Sequence, residues 1–361
     1  MKRMTVLAIA AVMIAGAAGI ATAEQCLFST IAFSSTRDNL DLDPINGAEI
    51  YLMNPDQTNQ DPRRLTDNTD GDAFPHLSPD GKHIVFDSNR ARGAGEPVNT
   101  SDVWLMNAKG EEQTLLTRGS SATWSPDGKH IAFHRSASGD VCPISNFPNP
   151  PNPIPGCPIA GTPGAETWDS DIFVMRVPDD GGSIEEPINI TNTPELIDND
   201  PDWSPDGQTI VYVRHPVTDN LITRNNSPNA EIYVLRVDGS EPPTRLTDNL
   251  EEERGPAWSP DGTRIAYMCR KGVPATPTGP PTFEICVMNA DGTGQIRLTN
   301  NGIVDATPAW SPDGQKIVFH RGIQLWLMNA DGTGQEPLTA PPGANVLASW
   351  GVLRAKCPED N

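Results

Sequence analysis

The sequence predicts an all-β chain folded as a six-bladed β-propeller. Three observations carry that prediction. Ser-Pro-Asp-Gly recurs five times, beginning at Ser78, Ser125, Ser204, Ser259 and Ser311. Each copy is followed by short stretches of alternating apolar and polar residues, the pattern of half-buried strands. The two ends of the chain carry complementary pieces of the same unit, so together they complete one more blade.

The elements follow in chain order. Residues 1–23 read as a signal peptide: Lys2 and Arg3 are basic, Val6 to Ile20 is apolar, and Ala21-Thr22-Ala23 fits small-residue cleavage. The apolar run is shorter than the roughly 18–20 residues that a spanning helix needs. The mature chain, 24–361, is therefore expected to be the propeller, exported and without a membrane span. Losing Lys2 and Arg3 takes the net charge from −21 to −23.

A partial unit opens the mature chain: Ile31-Ala32-Phe33, then Glu49 to Met53, then Arg64-Leu65-Thr66, with no Ser-Pro-Asp-Gly. Five whole units follow. Each Ser-Pro-Asp-Gly stands behind an inner-strand residue, Leu77, Trp124, Trp203, Trp258 or Trp310. Pro presets φ, Asp bonds its own backbone and Gly accepts a positive φ, so the motif is a tight turn. Its carboxylates (Asp80, Asp127, Asp206, Asp261, Asp313) are turn residues. Second strands follow at His83, His130, Thr209, Arg264 and Lys316, and third strands at Asp102, Asp171, Glu231, Glu284 and Gln324. A short last strand ends in Leu-Thr or Ile-Thr, at Thr117, Thr191, Thr247, Thr299 and Thr339. The chain closes on Ala348-Ser349-Trp350, an inner strand whose partners must come from residues 27–66. A four-stranded antiparallel sheet cannot bury both its faces alone, so the units must pack around an axis.

Composition agrees. With 26 Lys+Arg against 47 Asp+Glu, the chain is unsuited to a phosphate backbone, so nucleic acid is excluded as a partner. With 36 Pro, 31 Gly and 8 Trp, it fits a loop-rich β protein with a few large core residues. Six Cys in an exported chain favour disulfides. Cys26 and Cys357 flank the closing strands, Cys269 and Cys286 lie on adjacent strands of one blade, and Cys142 and Cys157 flank a Pro-rich insertion. The count alone leaves the pairing open.

The Trp-Ser-Pro-Asp-Gly units, with Ile-Ala-Phe and Val-Met-Asn-Ala-Asp-Gly, resemble the TolB-type, WD-like β-propeller repeat. The resemblance covers about residues 27–354 and corresponds to that family's propeller domain without its N-terminal domain. It implies a bacterial protein of the periplasm or exterior, binding a protein such as the peptidoglycan-associated lipoprotein at the channel mouth.

Loops between blades, and loops between second and third strands, must emerge on one face. That face carries the length variation, at 88–101, 136–170, 214–230 and 270–283, and function on a rigid scaffold resides in such loops. Five residues before each inner-strand Trp position stand Asp72, Gly119, Asp198, Glu253, Asp305 and Asn345. With Asp200, Asp202, Arg254 and His76, the carboxylates suggest an acidic channel mouth. Asp72, His76, Asp198, Asp200, Asp202, Glu253, Arg254 and Asp305 are the expected partner-binding residues, for a Lys- or Arg-bearing segment or for Ca²⁺. Asp38, Asp41 and Asp43 resemble a calcium loop but lack EF-hand spacing. His134 and His320 are equivalent, each followed by Arg. No nucleophile elbow, zinc-protease motif or phosphate loop is present. The expectation is a monomeric, non-catalytic exported propeller that binds a protein or cell-envelope component and needs no cofactor. The alternative is a polysaccharide lyase or hydrolase with a metal-assisted site in the channel.

Overall fold

The computed structural model describes residues 25–39, 47–56, 61–91, 101–135, 170–178, 182–194, 196–216, 230–249, 251–270 and 282–356. They form six four-stranded antiparallel sheets, as the repeat predicts. Blade 1 runs outward through Asp72–Leu77, His83–Ser88, Asp102–Asn107 and Thr114–Arg118. Blade 2 is Ser120–Trp124, His130–Arg135, Asp171–Arg176 and Ile188–Asn189. Blade 3 is Leu196–Trp203, Thr209–Pro216, Glu231–Arg236 and Thr244–Arg245. Blade 4 is Glu253–Trp258, Arg264–Cys269, Glu284–Asn289 and Ile296–Arg297. Blade 5 is Asp305–Trp310, Lys316–Arg321, Gln324–Asn329 and Glu336–Pro337. Blade 6 takes its inner strand, Asn345–Lys356, from the C-terminus and its other three, Gln25–Ser35, Glu49–Met53 and Arg63–Arg64, from the N-terminus. Ring closure is thus a backbone ladder, from Gln25 opposite Lys356 to Ser35 opposite Asn345.

The Ser-Pro-Asp-Gly turns repeat one hydrogen-bond set. In blade 4, Ser259 Oγ donates to Asp261 Oδ1 at 2.6 Å and accepts the Arg264 N–H at 2.9 Å. Asp261 Oδ1 also accepts the Thr263 N–H, and Gly262, at φ 69°, donates to the Ser259 carbonyl. The Leu-Thr signature has an equally local cause. Thr66, Thr191, Thr247, Thr299 and Thr339 each accept, through Oγ1, a third-strand N–H at 2.9–3.0 Å. A side chain thereby takes over where the two-residue fourth strand stops.

The core lies between blades. Each of six apolar clusters joins residues of two neighbouring sheets; one unites Val85, Val103 and Leu116 with Trp124, Phe133 and Phe173. The repeat Trp seals these seams. Trp124 Nε1 donates to the His76 carbonyl and Trp310 Nε1 to the Ala257 carbonyl, each in the preceding blade. Cys269 and Cys286, on adjacent strands, form a disulfide buried in blade 4. Cys26 lies in the closing ladder opposite Ala355. Its side chain lies outside the described residues, as do Cys142, Cys157, Cys357, Asp41, Asp43, the segment 1–23 expected to be a signal peptide, and most of the four long loops.

Candidate functional site

On the loop face the expected acidic mouth is a buried bonding network. Asp72, Asp198 and Asp305 have no exposed side-chain surface, and each is held by an Arg of its own blade: Arg214 and Arg321 on the second strands, and Arg90 two residues past the end of one. Arg214 grips Asp198 with two bonds of 2.7 Å, and Arg321 grips Asp305 with two of 2.8 Å. A side chain from the linker then crosses the seam. Asn301 donates its backbone N–H to Glu284 in blade 4 and its side-chain amide to Asp305 in blade 5. Asn68 joins Glu49 to Asp72 in the same way, and Asn249 joins Glu231 to Glu253. Burial raises the Asp198 carboxyl despite Arg214, and it raises Glu253, where the neighbouring Glu231 adds. Arg254 is paired with Glu252. These residues fasten the ring, and the sequence signal for the fastening is Leu-Thr-Asp-Asn, repeated at 65–68 and 246–249.

The channel runs deeper. Every inner strand has a bulge at the same place, where two residues face one on the second strand. The first bulge residue is left-handed in all six blades: Phe74, Ser121, Asp200, Gly255, Thr307 and Leu347, with φ between 48° and 55°. A positive φ is costly for Phe, Leu and above all β-branched Thr. Pro follows in four blades, at 75, 201, 256 and 308. Pro suits a bulge on an edge strand because it has no N–H to leave unpaired.

From this collar to the Ser-Pro turns, the inner strands enclose a cavity of about 460 Å³ on the axis. The collar residues, the five repeat Trp and the turn prolines line it, with His76, Asp200 and Asp202. Of the eight expected binding residues, these three therefore reach the lumen, on the turn side of the collar. Asp72, Asp198, Glu253, Arg254 and Asp305 are not part of that wall.

His76 and Asp202 also bind across seams. His76 Nδ1 accepts the Trp124 N–H and Asp202 Oδ2 accepts the Trp258 N–H at 2.7 Å. Burial lowers His76 to about 4 and raises Asp202 to about 7. Asp87, behind the wall, accepts from Ser120 and Ser121 and is likewise raised to about 7 by burial, with Asp102 and Asp200 adding. Among the described residues, no three His, Cys, Asp or Glu side chains are grouped to hold a metal ion.

No family model matches the chain. It is 31% identical over 120 residues to an uncharacterized peptidase, YuxL, of Bacillus subtilis, covering 33% of this chain and 16% of that protein. It is 30% identical over 110 residues to the Tol-Pal system protein TolB of Anaeromyxobacter dehalogenans, covering 30% of this chain and 21% of that one. The crystal structure of TolB from Acinetobacter baumannii superposes on 90% of this chain and 66% of that chain, with a TM-score of 0.61 and 18% identity. The fold is that of the TolB propeller.

The chain spans about a fifth or less of these two relatives, so the likeness concerns the propeller and its repeat. Within this propeller, sequence reasoning missed the collar and the seam bonds. Only the recurring Pro two places before the Trp position marked the bulge, and only Leu-Thr-Asp-Asn marked the seam.

Proposed function

We propose that this TolB-type propeller is an exported binding protein that takes an extended segment of a protein partner, a component of the bacterial cell envelope, into the axial channel from the Ser-Pro turn face. The observation that carries this reading is the cavity itself. It is about 460 Å³, walled by rigid inner strands and lined by Trp and Pro surface with a few polar groups. That is the make-up of recognition sites for extended chains. Strain concentrated in the collar accords with a functional position. The relative belonging to the Tol-Pal system supports a protein partner in the envelope. No helix among the described residues is long and apolar enough to cross a membrane. The lyase or hydrolase reading would require His and carboxylates to converge. His134 and His320 instead lie buried in blades 2 and 5, on opposite sides of the ring.

Site-specific photocrosslinking tests the proposal. A photoreactive residue replacing Pro126, at the cavity rim, should yield a discrete protein adduct in cell-envelope extract. The same residue at Ile296, on the outer strand of blade 4, should not. Equal labelling from both positions, or none from the rim, would remove the channel as the binding site.

A further inference from the structure

One seam lacks the arginine that the others use. In blades 3 and 5 the residue directly opposite the inner carboxylate is the Arg that holds it, Arg214 opposite Asp198 and Arg321 opposite Asp305. In blade 4 the residue opposite Glu253 is Cys269, committed to the disulfide with Cys286. The next residues along, Arg254 and Arg270, both bond to Glu252. Among the described residues, no Lys or Arg pairs with Glu253.

Glu253 instead meets Glu231 across the seam between blades 3 and 4. Each is 2% exposed. Asn249 takes one oxygen of each, its backbone N–H bonding Glu231 Oε1 and its side-chain amide Glu253 Oε1, and Arg245 also bonds Glu231 Oε1. Both Oε2 atoms are buried with no donor, and the two side chains are within hydrogen-bonding reach of each other. Two carboxyl groups can bond in that way only if one carries a proton. The other charged groups around the pair supply no second cation. Glu251 adds negative potential, and Tyr267 on the second strand is held neutral by burial and by these carboxylates. Glu284, opposite Cys269 on the third strand, is bonded to Thr299 and Asn301. From blade 3, Arg214 is committed to Asp198, and Asp202 accepts the Trp258 N–H further along the seam.

We infer that Glu231 and Glu253 share one proton, and that this proton makes the seam between blades 3 and 4 a pH-sensitive joint of the ring, closed in acid and loosened as the proton leaves. This does not depend on the channel-binding reading above. The joint reaches the channel, because Gly255 and Pro256, just beyond Glu253, line the cavity. Burial, with Glu231 and Glu251 adding, raises Glu253 above its ordinary value. The closed seam therefore keeps a proton that an opened seam releases to water. Opening gains up to about tenfold per pH unit between those two values, and stability at this seam is lost as pH rises.

Hydrogen exchange on the full chain, read at single residues and corrected for its intrinsic pH dependence, tests the joint. The Glu253 N–H donates across this seam to the Ala230 carbonyl at 3.0 Å. The Asp305 N–H donates to the Phe283 carbonyl at the equivalent place, in a seam whose inner carboxylate Arg321 holds. From pH 5.5 to 7.5, protection at Glu253 should fall by roughly tenfold to a hundredfold, while protection at Asp305 changes by less than about threefold. In Glu253→Gln the side-chain amide donates to Glu231 without a titrating proton, so the fall should vanish. Equal protection changes at the two amides of the parent chain would overturn the inference, and that comparison needs no variant to fold. A fall that survives in Glu253→Gln would overturn it as well. So would protection at Glu253 that follows added Na⁺ or Ca²⁺ at fixed pH, because a cation would then stand where the proton is placed.

Discussion

The Arg residues at or just past the ends of the second strands do more than neutralise charge. Arg90 lies over Phe86 and Trp104, Arg214 over Tyr212 and Tyr233, and Arg321 over Phe319 and, at 4.4 Å, Trp326. Each planar guanidinium covers aromatic surface while its fork holds an inner-strand carboxylate, a role that Lys cannot copy. Because Asp198 is fully buried, Arg214→Leu should destabilise the chain by about 3–5 kcal/mol, the range for breaking one half of a buried pair. Arg214→Leu with Asp198→Leu should recover much of that loss, since no lone charge is then left inside. Urea titration of both variants checks this, and an additive double variant would contradict it. Blade 2 breaks the pattern for a steric reason. A Cβ on Gly119 would stand 2.4 Å from the Phe133 ring, so the carboxylate has no room there. Arg135 stacks on Phe173 instead and bonds to Thr117 Oγ1. The carboxylate positions were legible in the repeat. Their inward direction was not, because it depends on Arg side chains 16 or more residues away in sequence.

Within each blade, what was legible is what closes locally. The Ser-Pro-Asp-Gly turn satisfies itself over six residues, so its chemistry can be read without knowing the ring. Hydrogen bonds from Ser259 and from the Thr263 backbone hold the Asp261 carboxyl down at about 2. Ser259→Ala removes a donor to that carboxylate and an acceptor for the Arg264 N–H, and should cost about 1–3 kcal/mol in urea titration. An effect near zero would show the turn to be held by Pro and Gly alone. The bulge resisted reading for the opposite reason. No local preference puts Thr307 or Leu347 at a positive φ; six inner strands converging on one axis impose it. The disulfide lies between these cases: adjacent strands were foreseeable, and their register makes the bond possible. Cys269 and Cys286 are separated by 17 residues, so a chain refolded under reductant should be less stable by roughly 3 kcal/mol in the chain-entropy account. Reductant added to the folded protein should do little, because both sulfurs are buried.

At the scale of the ring, every seam is at once an apolar cluster and a set of polar bonds, and the last seam is closed by joining the two chain ends in blade 6. Polar groups buried in such a ring titrate away from their ordinary values, in opposite directions. His134 and His320, fully buried, are lowered to about 4. The unfolded chain therefore takes up protons near pH 6.5 that the native ring refuses, and stability is lost as pH falls from 6.5 toward 4. Asp87 is raised to about 7 by burial. The native ring keeps its proton where the unfolded chain has released it, so this contribution is lost as pH rises from 4 toward 7. The slopes oppose one another across the same window, each reaching about 1.4 kcal/mol per pH unit. Single variants should expose them. Asp87→Asn should gain stability relative to the parent chain as pH rises from 4 to 7. His320→Gln should gain relative to the parent as pH falls from 6.5 to 4, whatever it loses at pH 7 with the Thr307 hydrogen bond at 2.8 Å. Urea midpoints of the three proteins at pH 4.5, 5.5 and 7.5 decide between this account and a water-filled interior. Curves that run parallel would mean that these groups titrate as they do in solvent, and that the seams behind the collar are wet.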